Sequence, residues 1–288
     1  MPYPFRHATC NEMYQGRSFA GTCRSIRSAG YTGIEIAPFT LGDDPTAIPP
    51  AQRREIAETI RSEGLEFAGM HWLMATPKGL HVTAPDAALR RRSWEHVRKL
   101  ADLCSDLGPG SVMVFGSPKQ RSSTGGIGRE EAMKNYAEGL ATVAPHAAER
   151  GVAILVEALT TRETDVINTL EEAVAIVRQV NSPGALTMFD THNTTSETEP
   201  HAALVDRYFD LIRHVHVNEM DGRHPGTGTY DYRAVLEVLA RRRYKGWISL
   251  EVFDYSAGAD AIARDSLSFL ESEIAKLESS SEASQGRD

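Results

Sequence analysis

The chain has 288 residues, of which 41% are hydrophobic and 24% charged, and its formal net charge is −8. This composition is typical of a globular protein, and no apolar run is long enough to span a bilayer. An acidic balance without a basic block argues against a nucleic-acid groove. The first residues do not resemble a signal peptide. Three widely spaced cysteines indicate free thiols in a reducing compartment, so we expect a cytoplasmic protein.

Eight short apolar runs are predicted to form β-strands. Each is rich in β-branched or aromatic residues and is almost continuously apolar, as strands covered on both faces are. In chain order the runs span residues 4–10, 33–38, 65–72, 111–116, 152–159, 185–192, 212–219 and 247–253. Helical patterns lie between them. Two begin at segments with capping-box spacing, 83–86 and 169–172.

Eight strand–helix units in a chain of this length predict an α/β protein with a single (β/α)8 TIM barrel over residues 1–278. The polar segment 279–288 is predicted to be a disordered tail. The alternative is a doubly wound open sheet, but that fold normally carries a Gly-rich phosphate turn after its first strand, and this sequence has none there. The longest non-periodic inserts each follow a strand, where a barrel places its catalytic loops.

Four ionisable residues lie near the ends of the fifth to eighth predicted strands: Glu157, Asp190, His216 and Glu251. Three carboxylates that converge in a low-dielectric site repel one another unless a cation neutralises them. Any one of these residues is explained as well by a local hydrogen bond, so the prediction depends on all four together. One imidazole and three carboxylates suit Mn²⁺, Mg²⁺ or Co²⁺ better than a metal that prefers thiolates, and Zn²⁺ is an alternative. We expect Mn²⁺.

Other polar residues at the predicted mouth are candidates for substrate contact or catalysis. His192 and Asn193 follow Asp190, and ordinary loop polarity is the alternative for both. His71 and Trp72 end the third strand, where an imidazole beside an aromatic ring suits the face of a sugar, although rim packing explains them equally well.

Three further positions stay open in the sequence. Lys119 and Gln120 lie in a Gly-rich loop that suits either an anion clamp or a solvated surface. His214 faces the same side of its strand as His216, where it either orients a ligand or is a core histidine. Glu35 either faces the mouth or makes a hydrogen bond inside the barrel.

The segment HVHVNEMDGRHPGTGTYDY resembles the strand-seven signature of the xylose isomerase-like TIM-barrel family of sugar (phosphate) isomerases and epimerases. The resemblance covers essentially the whole barrel. It implies that His216 is a metal ligand and that Arg223 contacts substrate. It also implies that Glu157 and Glu251 are the two metal-bound glutamates of the ketose 3-epimerase branch and that Asp190 is the aspartate ligand.

One departure from that branch concerns the histidine that usually lies three residues after the aspartate. Asn193 occupies this place here, and His192 comes one residue early. The barrel also resembles the α subunits of bacterial C-glycoside deglycosidases, which cleave 3-oxo-C-glycosides beside a small β-sandwich subunit. That second resemblance implies a lyase with a small β-rich partner. Barrels of this kind often pair, so a homo-oligomer is expected.

These observations predict a divalent-metal-dependent sugar isomerase or epimerase that removes a proton alpha to a carbonyl and forms an enediolate. Glu157 and Glu251 on opposite faces of the substrate would give epimerisation. Loss of a leaving group would instead give elimination, with His71 or His192 as the base. The alternatives are a DNA-repair endonuclease, disfavoured by charge, and a non-catalytic sugar-binding subunit. We expect a small sugar ligand, and neither nucleic acid nor membrane as a partner.

Overall fold

The computed structural model describes residues 5–285, with side chains described as far as residue 277. Eight parallel strands close into a barrel in chain order, and β8 pairs with β1. The TIM-barrel prediction is therefore confirmed. Each strand lies inside its predicted run, and the strands are β1 (Arg6–Cys10), β2 (Gly33–Ile36), β3 (Glu66–Met70), β4 (Val112–Phe115), β5 (Ala153–Val156), β6 (Ala185–Asp190), β7 (Ile212–Val217) and β8 (Trp247–Leu250).

A helix follows each strand and packs its apolar face on the outside of the barrel. Their bounds are α1 (Phe19–Ser28), α2 (Pro50–Ser62), α3 (Ala87–Leu107), α4 (Arg129–Glu149), α5 (Leu170–Val180), α6 (His201–Tyr208), α7 (Tyr232–Arg241) and α8 (Ala259–Gln285). None of the helices within the described part of the chain is long and apolar enough to cross a membrane. All three cysteines are buried and free, as the sequence predicts.

Only one of the two predicted capping boxes begins its helix as expected. Thr169 caps α5 by accepting a hydrogen bond from the Glu172 amide. At α3 the cap is instead Asp86, whose carboxylate accepts from the Ala88 amide. Thr83 lies further back and donates its hydroxyl to the carbonyl of Ser122, which ties this segment to the loop after β4.

The last helix runs past the predicted boundary at residue 278. The backbone of 279–285 continues α8. The segment contains neither glycine nor proline, so nothing in its backbone chemistry ends the helix. The boundary at 278 and the disordered tail 279–288 stay predictions. Residues 286–288 lie outside the described residues.

Candidate metal and active site

The four predicted ligands meet at the open end of the barrel. Glu157 and Glu251 follow directly after β5 and β8, whereas Asp190 ends β6 and His216 lies near the end of β7. In the parallel register Asp190 pairs with His216, which places their side chains at the same depth. One ligand atom from each of the four residues lies within 4.8 Å of the others, and all four residues are buried. The structure therefore brings together the set that the sequence singles out.

The cluster fits a small divalent cation. His216 Nδ1 lies 3.0 Å from Glu251 Oε2 and 3.6 Å from Asp190 Oδ2. Among the described residues, neither His216 Nδ1 nor Asp190 Oδ2 has a hydrogen-bond partner, although both atoms are buried. Buried polar atoms without hydrogen bonds are costly, and an imidazole nitrogen and a carboxylate oxygen of this kind within one cluster of candidate ligands fit a divalent cation. A Cβ at Gly116 would come within 2.3 Å of Glu157 Oε2, so glycine there leaves room for this carboxylate.

The charges of the cluster are also consistent with a bound cation. Burial, then the carboxylates of Asp190 and Glu251, raise the pKa of Glu157 well above its ordinary value. Burial would lower the pKa of His216, but Glu35 and Glu251 outweigh it and raise that pKa well above its ordinary value. The group of carboxylates thus creates a strongly negative potential, which a divalent ion would neutralise.

Glu35 fixes the orientation of the histidine ligand. It is fully buried inside the barrel, where its two carboxylate oxygens accept hydrogen bonds from His216 Nε2 at 3.1 and 3.2 Å. His214 Nε2 donates to the same carboxylate at 2.7 Å. With Nε2 engaged, His216 turns Nδ1 toward the other three ligands. The structure therefore places Glu35 in the barrel interior, and His214 reaches the site only through it.

A carboxylate that the sequence analysis did not single out pairs with His71. Glu12 lies in the loop after β1, and its Oε2 is 2.9 Å from His71 Nε2. His71 Nδ1 lies 3.4 Å from Glu35, and Nε2 lies 4.0 Å from Glu251. Burial opposes charge on the ring, but Glu12 and then Glu35 raise the pKa of His71 to about 9. The signal for Glu12 in the sequence was its place two residues after the end of the first strand, on the side of the barrel where the other acidic residues lie.

Asn193 reaches the cluster, whereas the ring of His192 turns away. Asn193 Nδ2 donates to Glu157 Oε1 at 3.0 Å, and its buried Oδ1 has no partner among residues 5–277. The ring of His192 instead lies 3.2 Å from the Glu219 carbonyl through Nδ1 and packs against Phe253. The backbone turn at 193–196 produces this difference, because it directs side chain 193 inward.

A cavity of about 30 Å³ opens from the cluster to the surface. Trp72 lies over it and donates its indole N–H to Glu251 Oε1 at 3.1 Å. Besides Glu157, Glu251 and Asn193, the residues that line it include His71, Trp72, Ser117, Glu163 and Phe253. Glu163 is a further acidic residue that the sequence analysis missed.

Three predicted substrate contacts do not line this cavity. Arg223 is exposed, and its Nε donates to Asp221 Oδ2 at 2.8 Å because the intervening glycine turns the chain back on itself. Lys119 and Gln120 lie in a short 3-10 turn that directs Lys119 to solvent. In this structure Lys119 and Gln120 therefore provide no anion clamp at the cluster.

The inward-facing residue of that loop is Arg121, which is fully buried. Its guanidinium donates to the carbonyls of Phe115, Glu157 and Ile167 at 3.0, 2.7 and 3.3 Å. These bonds tie the ends of β4 and β5 together and fix the backbone of one candidate ligand. The sequence alone gave no sign that this arginine, rather than its neighbours, points inward.

A sequence model described as xylose isomerase-like TIM barrel matches residues 23–273 of the chain. The chain belongs to this family. Among its relatives, an L-ribulose 3-epimerase of Methylomonas sp. (strain DH-1) is 27% identical over 237 residues, which cover 82% of this chain and 78% of the relative. The resemblance inferred from the strand-seven segment is thereby confirmed at the level of the family.

Two solved structures have a fold similar to that of this chain. A D-psicose 3-epimerase from Clostridium cellulolyticum H10, solved with D-tagatose, superposes with a TM-score of 0.82 at 19% identity, over 94% of this chain and 99% of the other. A 3-keto-D-glucoside 4-epimerase from E. coli gives a TM-score of 0.78 at 20% identity, over 93% and 99%. At these identities the likeness concerns the fold.

Proposed function

We propose that this family member is a divalent-metal-dependent sugar epimerase or isomerase that moves a proton on the carbon beside a carbonyl group. The observation that carries the proposal is the buried set of Glu157, Asp190, His216 and Glu251 at the open end of the barrel. The epimerases and isomerases among the relatives support the reaction class. The donor set suits Mn²⁺, Mg²⁺ or Co²⁺, with Zn²⁺ as an alternative, and we propose Mn²⁺.

Two glutamates of the cluster are suited to exchange protons with a substrate. Glu157 follows β5 and Glu251 follows β8, so the strands of Asp190 and His216 separate them. Both line the cavity. We assign one carboxylate to remove the proton and the other to return it from the opposite face, which inverts the carbon. A bound divalent ion supplies positive charge that stabilises the negative charge developing on the substrate oxygen.

Replacing Glu157 with glutamine should lower turnover about 10²–10⁴-fold, the range for loss of a general base. The amide keeps the shape and one oxygen of the side chain, so metal content should change less than turnover. Proton exchange in D₂O with a panel of ketoses and 3-oxo-glycosides measures the effect, and elemental analysis measures the metal. Glu171→Gln, on the exposed face of α5, is the control. Exchange at the wild-type rate in Glu157→Gln would remove this residue from the mechanism.

Asn193→Ala should lower kcat/KM about 10–100-fold, because it removes a hydrogen bond to the Glu157 carboxylate and a buried acceptor that faces the cavity. Metal content should stay stoichiometric, since Asn193 is not in the ligand cluster. Steady-state kinetics on the best substrate of the panel checks this. Thr195→Ala changes an exposed residue of the same turn and serves as the control. A change of less than twofold in Asn193→Ala would contradict the assigned role.

Elimination from a 3-oxo-glycoside is the second candidate reaction, and His71 favours it. This histidine lines the cavity beside Glu251 and pairs with Glu12, so an additional proton-carrying group faces the substrate. In the D₂O experiment, release of the substituent would identify elimination, whereas its retention with deuterium incorporated identifies epimerisation. A non-catalytic sugar-binding subunit would exchange no proton in any compound while the metal is bound.

The cytoplasmic location, the homo-oligomer and the small β-rich partner subunit stay predictions. Sedimentation of the purified chain, alone and after copurification from its source, measures the last two.

A further inference from the structure

The large hydrophobic side chains that are exposed in the described residues all lie at one end of the barrel. They are Phe39, Trp72, Met220 and Phe253, and each comes within a few residues after the end of a strand, β2, β3, β7 or β8 respectively. Strands β7, β8, β1, β2 and β3 are consecutive around the closed barrel. Scattered single hydrophobic residues are ordinary on a protein surface, whereas a group confined to the open end of a barrel indicates a binding surface.

Two of these side chains, Trp72 and Phe253, line the cavity that contains Glu157 and Glu251. They are 38% and 41% exposed. Both are fixed in place despite this exposure. Trp72 has a left-handed backbone, with φ of 52°, and its indole N–H donates to Glu251. Such a backbone is rare for a bulky residue and is retained where the surroundings enforce it.

Phe253 is held by a backbone hydrogen bond and a ring contact. Its amide donates to the Gly222 carbonyl at 2.8 Å, and its ring centroid lies 5.1 Å from that of His192. The remaining part of the ring faces solvent. Aromatic rings that are rigid and half-exposed cost little entropy when they bind a ligand, which makes them effective contact surfaces.

The lining of this cavity contains no lysine or arginine among the described residues. Lys119 and Arg162 adjoin the lining residues Pro118 and Glu163 in sequence, but they do not line the cavity themselves. Glu163 adds a further acidic group. His71 also lines the cavity, but its Nε2 already pairs with Glu12. A phosphate or carboxylate on the substituent would therefore meet the acidic Glu163 without a lysine or arginine beside it.

We propose that Trp72 and Phe253 form a subsite for an uncharged aromatic or apolar substituent on the sugar. The substrate is then a carbonyl sugar that carries such a group, as in an aryl glycoside, rather than a free or phosphorylated ketose. The inference rests on the proposed function in that the sugar itself binds at the four-ligand cluster. The substituent then lies at the mouth, beside the two half-exposed rings that line the cavity.

Equilibrium titration separates this subsite from turnover. Mn²⁺-loaded Glu157→Gln protein is titrated calorimetrically with phenyl and with methyl 3-oxo-β-D-glucoside. We expect the phenyl compound to bind at least about tenfold more tightly, because its ring is buried away from water only in this subsite. Trp72→Ala and Phe253→Ala, each added separately, should reduce the ratio to about two- to threefold. Phe39→Ala, equally exposed on the same face but outside the cavity, should leave the ratio unchanged.

Three results would overturn the subsite. The first is equal affinity for both compounds, or no measurable binding of the phenyl compound. The second is an equal loss of affinity for both in Trp72→Ala and Phe253→Ala, which would mean that the rings contact the sugar itself. The third is a change in sedimentation of these variants without ligand, which would make this face an interface between copies. A phenyl preference without proton exchange in wild-type protein would instead reject the proposed reaction and keep the subsite.

Discussion

Replacing Glu251 with alanine should remove the divalent ion from the protein. Loss of a group that only orients a ligand lowers metal affinity about 10–100-fold, so loss of a charged ligand should lower it by more than about 100-fold. Glu251 also accepts the indole N–H of Trp72 and lies 3.0 Å from His216 Nδ1, so no neighbouring carboxylate can replace it without displacing these groups. Proton exchange with any sugar should fall with the metal.

Elemental analysis after dialysis against limiting Mn²⁺ measures this effect directly. Wild-type protein should retain about one ion per chain, and Glu237→Ala, an exposed change on α7, should do the same. The unfolding temperature gives a second readout, because a ligand at 1,000 times its Kd stabilises the folded state by about 4 kcal/mol. Wild-type protein should gain stability when Mn²⁺ is added and Glu251→Ala should not. A metal content of about one ion per chain in Glu251→Ala would contradict the four-ligand assignment.

The barrel and its four clustered residues could be predicted because both depend on local patterns. Each strand lies within an apolar run, and the polar residues that end these runs must lie at one edge once the strands are parallel. Glu157 and Glu251 illustrate the point, since each is the first residue after its strand. Neither prediction requires knowledge of which loops touch.

The rest of the site depends on contacts between distant segments. Arg121 points inward because three carbonyls from two strand ends and a loop surround it, whereas its neighbour Lys119 does not. Arg223 lies in the segment that resembles the family signature, yet its guanidinium donates to Asp221, two residues earlier, instead of reaching the cavity. Glu12 forms a hydrogen-bonded pair with His71, which lies 59 positions later in the sequence. Spacing along the chain contains no information on such pairs, because loop geometry decides them.

Glu35 contributes both to the candidate metal site and to the stability of the barrel. Glu35→Ala should destabilise the metal-free protein by about 3–5 kcal/mol. The carboxylate is fully buried and accepts from His214 and His216, while His71 lies 3.4 Å away. Removal of one partner from a buried ionic group leaves the others uncompensated in a low-dielectric interior.

The same change should weaken metal binding about 10–100-fold, because His216 loses the group that directs Nδ1 toward the cluster. Urea unfolding of metal-free protein gives the stability, and competition with a chelator gives the affinity. Glu66→Ala provides the contrast, since its exposed pair with Arg6 on β1 should contribute less than about 1 kcal/mol. Glu35→Gln, which keeps one acceptor oxygen, should lie between the two. A loss below about 1 kcal/mol in Glu35→Ala would mean that the three histidines do not depend on this carboxylate.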